Sequence, residues 1–530
     1  MQKAALLIIL LSFTVSATWA QRSIQDEQRL KFDDILNYME AKYVDSVDLE
    51  PLLEQAVRAM VEELDPHSEY MTADEYKKMN EPLAGNFEGI GIQFNIIKDT
   101  IAVVSPISGG PSEALGIRSG DKIVTIEDTT VAGIGVTNRD VIKKLRGDKG
   151  TIVNVGIYRR GVPDLLKFAI TRDKIPIFSI DASYLLNAET GYIKLNRFSH
   201  TSMDEYNEAM DKLLAGGMKN LVLDLRGNSG GYLKTAIELA DEFLESKELI
   251  VYTEGVSSPR RENVASSSGR FEKGKLVVLI NEGSASASEI VSGAVQDHDR
   301  GLVIGRRSFG KGLVQRPFKL RDGSVLKLTT ARYYTPSGRC IQRPYDEGEE
   351  AYRKENRRRK ESGELFHKDS VEFDESQRFE TDNKRTVYGG GGVMPDIFIP
   401  LDTSENSDLY VDLWSKGLFN QFVNEHVDVN RKQFKEDYPD FESFSKGFVV
   451  DDSYMEEFID AAKAEEIEVD SADLAISGHL IRTRLKALTA RSLWKTQEYF
   501  RVINSEDEVV QKALEAIDDK TFKKLRLSYN

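Results

Sequence analysis

The stretch "LVVLINEGSASASEIVSGAVQD", residues 276–297, sets five consecutive apolar residues before a loop carrying three serines, and then enters a helical pattern. The apolar run reads as a buried strand, and Ser286 with Glu289 stands in the Ser-x-x-Glu spacing of a capping box. Alone, that spacing starts a helix and nothing more. Whether one of the serines is also a nucleophile depends on what the rest of the chain places beside it.

Working outward, strands and helices alternate from about Ile175 to Pro400: "GYIKLNRFS", a helix over Met203–Leu214, "NLVLDLR", a glycine loop, a helix through "KTAIELADEFL", then the serine stretch and "GLVIG". Alternation of this kind predicts an α/β core with crossover helices. The stretch "GLVIGRRSFGKGLVQ" (301–315) superficially matches a phosphate-binding loop through Gly305, Gly310 and Lys311. It fails where Gly312 replaces the Ser/Thr that would hold magnesium, and "LVQRPFKL" alternates like a strand where a helix should begin. No nucleotide is expected.

Lys311 fits better as a base for a serine. Desolvation disfavours an ammonium, and the neutral amine can then take a hydroxyl proton without any histidine. In an extended segment Lys311 and Gln315 share a face, and a glutamine orients the amine where a carboxylate would hold it charged. Acyl transfer also needs amides for an oxyanion. Gly230 or Gly231 in "RGNSGGY", and Ala287 at the helix start, are the candidates.

The flanks have other characters. Residues 21–85 read as mostly helical, and residues 86–173 as short alternating strands with glycine turns and one helix, "TNRDVIKKLRG". That is a β-rich module of the size of a peptide-binding domain. Within the core, residues 345–386 are so charged that a solvated surface insertion is expected. Residues 401–530 read as charged amphipathic helices, which leaves adaptor binding or self-association open to them. The start, "MQKAALLIILLSFTVSATWAQ", reads as a signal peptide over 1–20, cut near Ala20 or after Ala17. Export to a periplasmic space is implied, with membrane attachment if the leader stays uncleaved. A single cysteine, Cys340, permits no internal disulfide. Six scattered histidines show no metal-ligand spacing, so no metal or cofactor is expected, and a net charge of -16 argues against nucleic acid.

Taken in order, "LDPHSEY", "LDLRGNSGG", "GSASASEIVSGAVQD", "GRRSFGKGLVQ" and "ARYYTPSGRCIQ" resemble the carboxyl-terminal processing (tail-specific) serine peptidases, from about Leu64 to Pro400. The resemblance implies a multidomain α/β protein: an α/β serine-peptidase core over 174–400, a PDZ domain inserted at 86–173, and helical N- and C-terminal regions. It implies that Ser286 is the nucleophile, Lys311 the general base and Gln315 the residue orienting it. Ala287 and Gly231, with Gly230 the second candidate, match the oxyanion-hole positions. Gly89, Ile90, Gly91 and Ile92 ("GIGI") occupy the place of the carboxylate-binding loop, so the implied partners are proteins or peptides with apolar C-terminal tails. In the family the PDZ domain can also gate the active site. The rival reading is a PDZ-containing adaptor or chaperone that does not cut, against which the intact Ser286, Lys311 and Gln315 count.

Overall fold

The computed structural model describes Ile24 and residues 26–529; residues 1–20, where the sequence predicts a signal peptide, lie outside them. Among the described residues no helix is long and apolar enough to cross a membrane. The chain divides into two compact units, residues up to Thr72 with Pro317–Leu328, and Ala73–Arg316 with Thr329–Asn530.

The smaller unit holds helices over residues 26–42 and Leu49–Glu62 and the short strand Glu69–Met71. That strand pairs antiparallel with Val325–Lys327, in the register Tyr70 to Leu326. Arg58 closes the helix onto the strand by donating to the Tyr70 carbonyl at 2.9 Å.

In the larger unit, the core sheet runs in the order Ile180–Leu185, Thr190–Leu195, Asn220–Asp224, Leu276–Ile280, Leu302–Gly305, Ile397–Phe398. Its first pair is antiparallel and the others are parallel. Parallel strands need helical crossovers, which cover both faces and make the central strands Leu276–Ile280 and Leu302–Gly305 apolar throughout. Val278, Ile280, Leu223 and Val303 face the helices Ser202–Ala215, Leu233–Asp241 and Ala287–Asp297. Val277, Leu279, Val222 and Ile304 face the opposite way, onto Val510, Ala513, Ile517 and Phe522 of the helices Glu508–Asp518 and Thr521–Leu525. These helices thus supply the third layer of the α/β core. Residues 409–502 form a separate core rich in aromatic rings, including Phe419, Phe444, Phe458 and Trp494.

Residues 92–171 form the inserted module. Its antiparallel sheet runs Ile92–Ile97, Thr100–Pro106, Lys122–Ile126, Ile152–Tyr158, Leu166–Thr171, so Ile92–Ile97 is an edge strand. The helix Asn138–Leu145 starts at Thr137, whose hydroxyl accepts the Asp140 N–H while the Asp140 carboxylate takes the Thr137 N–H. Entry and exit are zipped together: Asn86–Gly89 pairs antiparallel with Asp173–Pro176.

The charged insertion departs in part from the expectation of a solvated surface insertion. Its helix Glu349–Glu361 does expose ion pairs one turn apart, such as Lys354 with Glu350 and Arg357 with Glu361. Yet Tyr352 and Arg359, seven residues or two turns apart, are buried on the other face. The inward side was hidden in the sequence because an arginine and a tyrosine, rather than aliphatic residues, make the contact.

Candidate active site

The glycine loop, the serine loop and the lysine loop leave the carboxyl ends of three neighbouring parallel strands, Asn220–Asp224, Leu276–Ile280 and Leu302–Gly305. In open α/β sheets that edge is where ligands bind, because crossovers return all chain exits to one side. Segments some eighty residues apart in sequence become neighbours there by topology alone.

Of the three serines, Ser284 and Ser288 are fully buried, and their hydroxyls donate to the Leu225 and Asn228 carbonyls at 2.8 Å each. They tie the serine loop to the glycine loop. Ser286 is the half-buried one of the three. Its backbone sits at φ 54° and ψ -110°, a conformation L-residues avoid, which turns the chain sharply from strand into helix. A tight, strained strand-to-helix turn of this kind lifts a side chain out of the sheet edge.

Glu289, fully buried, holds the capping position but does more than cap. One carboxylate oxygen accepts the Ser286 N–H (2.7 Å) and the Lys311 N–H (2.9 Å); the other accepts the Gly310 N–H (2.7 Å) and the Ser308 hydroxyl (2.5 Å). Burial pushes this carboxyl up to about 7, against the lowering effect of those four donors. From the other side the Tyr333 hydroxyl faces the Ser286 carbonyl (3.1 Å) and the Lys311 carbonyl. Burial holds that phenol well above its ordinary pKa, so it remains a donor. Ser286 and Lys311 are therefore pinned together through their backbones, with both side chains half-buried at the sheet edge. Gln315, on the strand Leu313–Lys319, donates from Nε2 to the Thr329 hydroxyl at 3.2 Å.

The glycine loop distinguishes its two candidate amides. Gly230 N–H donates to Asn228 Oδ1 at 2.9 Å, while Phe198 brackets the loop by donating to the Gly230 carbonyl (3.0 Å) and accepting the Tyr232 N–H (2.8 Å). Among the described residues the Gly231 amide has no protein acceptor, and neither has the amide of Ala287, where the helix begins. Both glycines are required: a Cβ on Gly230 would lie 2.9 Å from the Ser286 Cβ, and one on Gly231 2.1 Å from the Phe198 carbonyl oxygen. Beneath the loop, burial would raise the Asp224 carboxyl, but Arg226 and Lys194 overcome it and hold it well below the usual range. Arg226 also reaches Asp507 at 2.8 Å, anchoring the loop to the third layer.

In the inserted module Gly89 ends the zipped strand and Ile92 begins the edge strand. The Ile90 carbonyl accepts the Ser112 hydroxyl (2.6 Å) and N–H (3.1 Å), and the Gly91 carbonyl accepts the Ile107 N–H (2.9 Å). In a trans peptide N–H and C=O point oppositely, so the Gly91 and Ile92 amides are turned away from that inner turn.

Glu289, Tyr333 and Gln342 were not assigned to the site from sequence, and Gln342 accepts the Gly312 N–H at 2.8 Å. The sequence around Glu289 shows only a cap. The other two lie in or beside "ARYYTPSGRCIQ", a motif that carried the family resemblance without any role for its residues.

Models of known families match four segments: Peptidase family S41 over residues 189–347, a PDZ domain over 89–170, the activating protease CtpB N-terminal domain over 13–75, and a family of unknown function over 409–495. A carboxy-terminal-processing protease of Bartonella bacilliformis is 38% identical over 325 residues, 60% of this chain and 73% of that protein. A "Probable CtpA-like serine protease" of Staphylococcus aureus is 35% identical over 59% of this chain and 62% of its own length. Among solved structures, a Photosystem II D1 C-terminal processing protease is 27% identical, covers 70% of this chain and 86% of its own, and has a TM-score of 0.37. Family membership decides against a non-cutting adaptor: the chain belongs to the carboxyl-terminal processing peptidases of family S41, as a serine-type peptidase with a PDZ domain.

Proposed function

We propose that the protein is an exported endopeptidase working through a Ser286–Lys311 dyad, with Gln315 orienting the lysine and the Gly231 and Ala287 amides stabilising the oxyanion. The observation that carries this reading is the double bridge from Glu289 and Tyr333 to the backbones of both Ser286 and Lys311. It ties the two residues' backbones together next to the turn that carries the Ala287 amide.

Neutral Lys311 takes the Ser286 proton as Oγ attacks the scissile carbonyl, whose oxygen becomes an anion facing the two amides. The resulting ammonium gives its proton to the leaving amine, and an acyl-serine remains. Water then loses a proton to Lys311, attacks the ester, and restores Ser286 Oγ–H as the acid product departs. Gly91 and Ile92 of the PDZ loop receive the terminal carboxylate of an apolar tail, which adds along the free edge of Ile92–Ile97. Support for export is the apolar leader, residues 1–20, ahead of the described chain.

The test is cleavage of a denatured protein by purified variants. Ser286→Ala, Lys311→Ala and Lys311→Arg should each be inactive with unchanged melting temperature, the last because a guanidinium does not deprotonate in proteins. Wild-type turnover by any of the three would remove that residue from the mechanism. Export is tested by the mass and location of the mature chain, which should lack residues 1–20.

A further inference from the structure

The lysine loop, residues 306–312, has no helix or strand of its own, and Gly310 and Gly312 flank its lysine. Its peptide groups must therefore be fixed from outside. On one side Glu289 takes the Gly310 and Lys311 amides. On the other side the partners come from the charged insertion. Arg359, 2% exposed, donates to the Arg307 carbonyl (3.0 Å) and the Ser308 carbonyl (2.9 Å), and its Nε binds Glu364 at 2.6 Å. The same Glu364 carboxylate accepts Arg307 at 2.8 and 2.6 Å. Phe309 is clamped as well: the Arg343 guanidinium lies 3.9 Å from its ring centre and 3.8 Å from that of Tyr352. Among the described residues Arg343 Nε and Nη1 have no hydrogen-bond partner, so this guanidinium is held largely by the two ring faces. The Tyr352 carbonyl accepts Arg343 Nη2 at 2.9 Å, which locks the stack to the inserted helix.

We propose that the insertion is a positioning device for the general base, with Arg359 and Tyr352 as positioning residues that fix the backbone of Arg307–Phe309 and so the place of Lys311. The proposal rests on the reading of Lys311 as base. A base must lie within hydrogen-bond reach of its proton, and a misplacement of about 1 Å costs on the order of a hundredfold in rate. Arginine suits the task because its planar fork spans two carbonyls and a carboxylate at once, whereas a lysine presents its donors from a single atom.

The experiment uses the full-length protein with Arg359→Met, Arg359→Lys and Tyr352→Leu. Hydrogen exchange of residues 306–312, kcat, KM and the pH profile of kcat on a peptide substrate are measured together with melting temperature. Arg359→Met should raise exchange at the Gly310 and Lys311 amides about tenfold and lower kcat about tenfold or more, with KM within about twofold and the pH limb of kcat displaced. Arg359→Lys should fall between it and wild type. Tyr352→Leu, which stays apolar but removes the ring face and the phenol that Gln342 donates to, should act in the same direction and serves if Arg359→Met fails to fold. Unchanged kcat, or a loss of kcat that only follows the fraction unfolded with the pH limb in place, overturns the proposal. Lys311→Ala is the separate control: turnover surviving it ends the reading of Lys311 as base, while exchange still reports whether the insertion orders the loop.

Discussion

Glu289 accepts the Lys311 N–H at 2.9 Å with the same carboxylate oxygen that takes the Ser286 N–H at 2.7 Å. A buried side chain inside the serine helix thus sets the distance between two loops that leave different strands. Its four donors suit an ionised carboxylate, while its burial opposes one, and the balance falls at about 7.

A pH dependence of stability follows from that value. In the unfolded chain Glu289 ionises near 4.5, and in the folded chain near 7, so between these the folded state holds the extra proton. Stability falls as pH rises through this window, by about 3 kcal/mol in total for a shift of this size. Tyr333 and Tyr352, whose phenols burial raises and the Glu289 charge pushes further up, are its titratable neighbours. Glu289→Gln should remove this slope, as read by the difference in unfolding free energy between variant and wild type from pH 4.5 to 8. Its amide NH₂ would also face two donors, so turnover should drop about tenfold or more. An unchanged slope would separate Glu289 from the pH response.

Ser286 supplies a second prediction through its backbone. At φ 54° and ψ -110° the residue carries strain of about 1–3 kcal/mol that glycine escapes. Ser286→Gly and Ser286→Ala should both be inactive, but the glycine variant should melt higher than the alanine variant. Equal melting temperatures would mean that the turn is not strained.

The outer serines should not behave as silent positions. Ser284→Ala and Ser288→Ala each remove a buried hydroxyl bond to a carbonyl, of Leu225 or Asn228, that keeps one backbone N–H donor, at a cost of about 0.5–1.5 kcal/mol. Both should keep measurable turnover, reduced through a looser glycine loop, whereas Ser286→Ala should have none. A denaturant titration with rate measurements on the same samples distinguishes these cases.

Tail capture is tested through Ser112, whose hydroxyl fixes the Ile90 carbonyl at 2.6 Å. Wild-type enzyme should cut a substrate with a free apolar end about tenfold faster than its amidated counterpart, as expected for loss of one charge-assisted contact. Ser112→Ala should narrow that ratio by raising KM for the free end alone. Equal rates for both substrates in wild type would exclude carboxylate recognition by this loop.

The sequence by itself determined the α/β alternation, the inserted β-rich module, and the three loops with the residue types that chemistry needs, because periodicity, glycine and serine placement are local properties of the chain. Only the tertiary structure shows that Asn228 occupies the Gly230 amide and that the Gly231 amide has no protein acceptor among the described residues. It also decided that the final helices cover the second face of the core sheet, and that the charged insertion turns Tyr352 and Arg359 inward. The role of Glu289 beyond its cap, and that of Tyr333, were invisible for the same reason. A buried hydrogen bond is set by which distant strands a parallel sheet makes neighbours, and nothing in the local pattern around Glu289 or Tyr333 records that the Lys311 loop will arrive beside them.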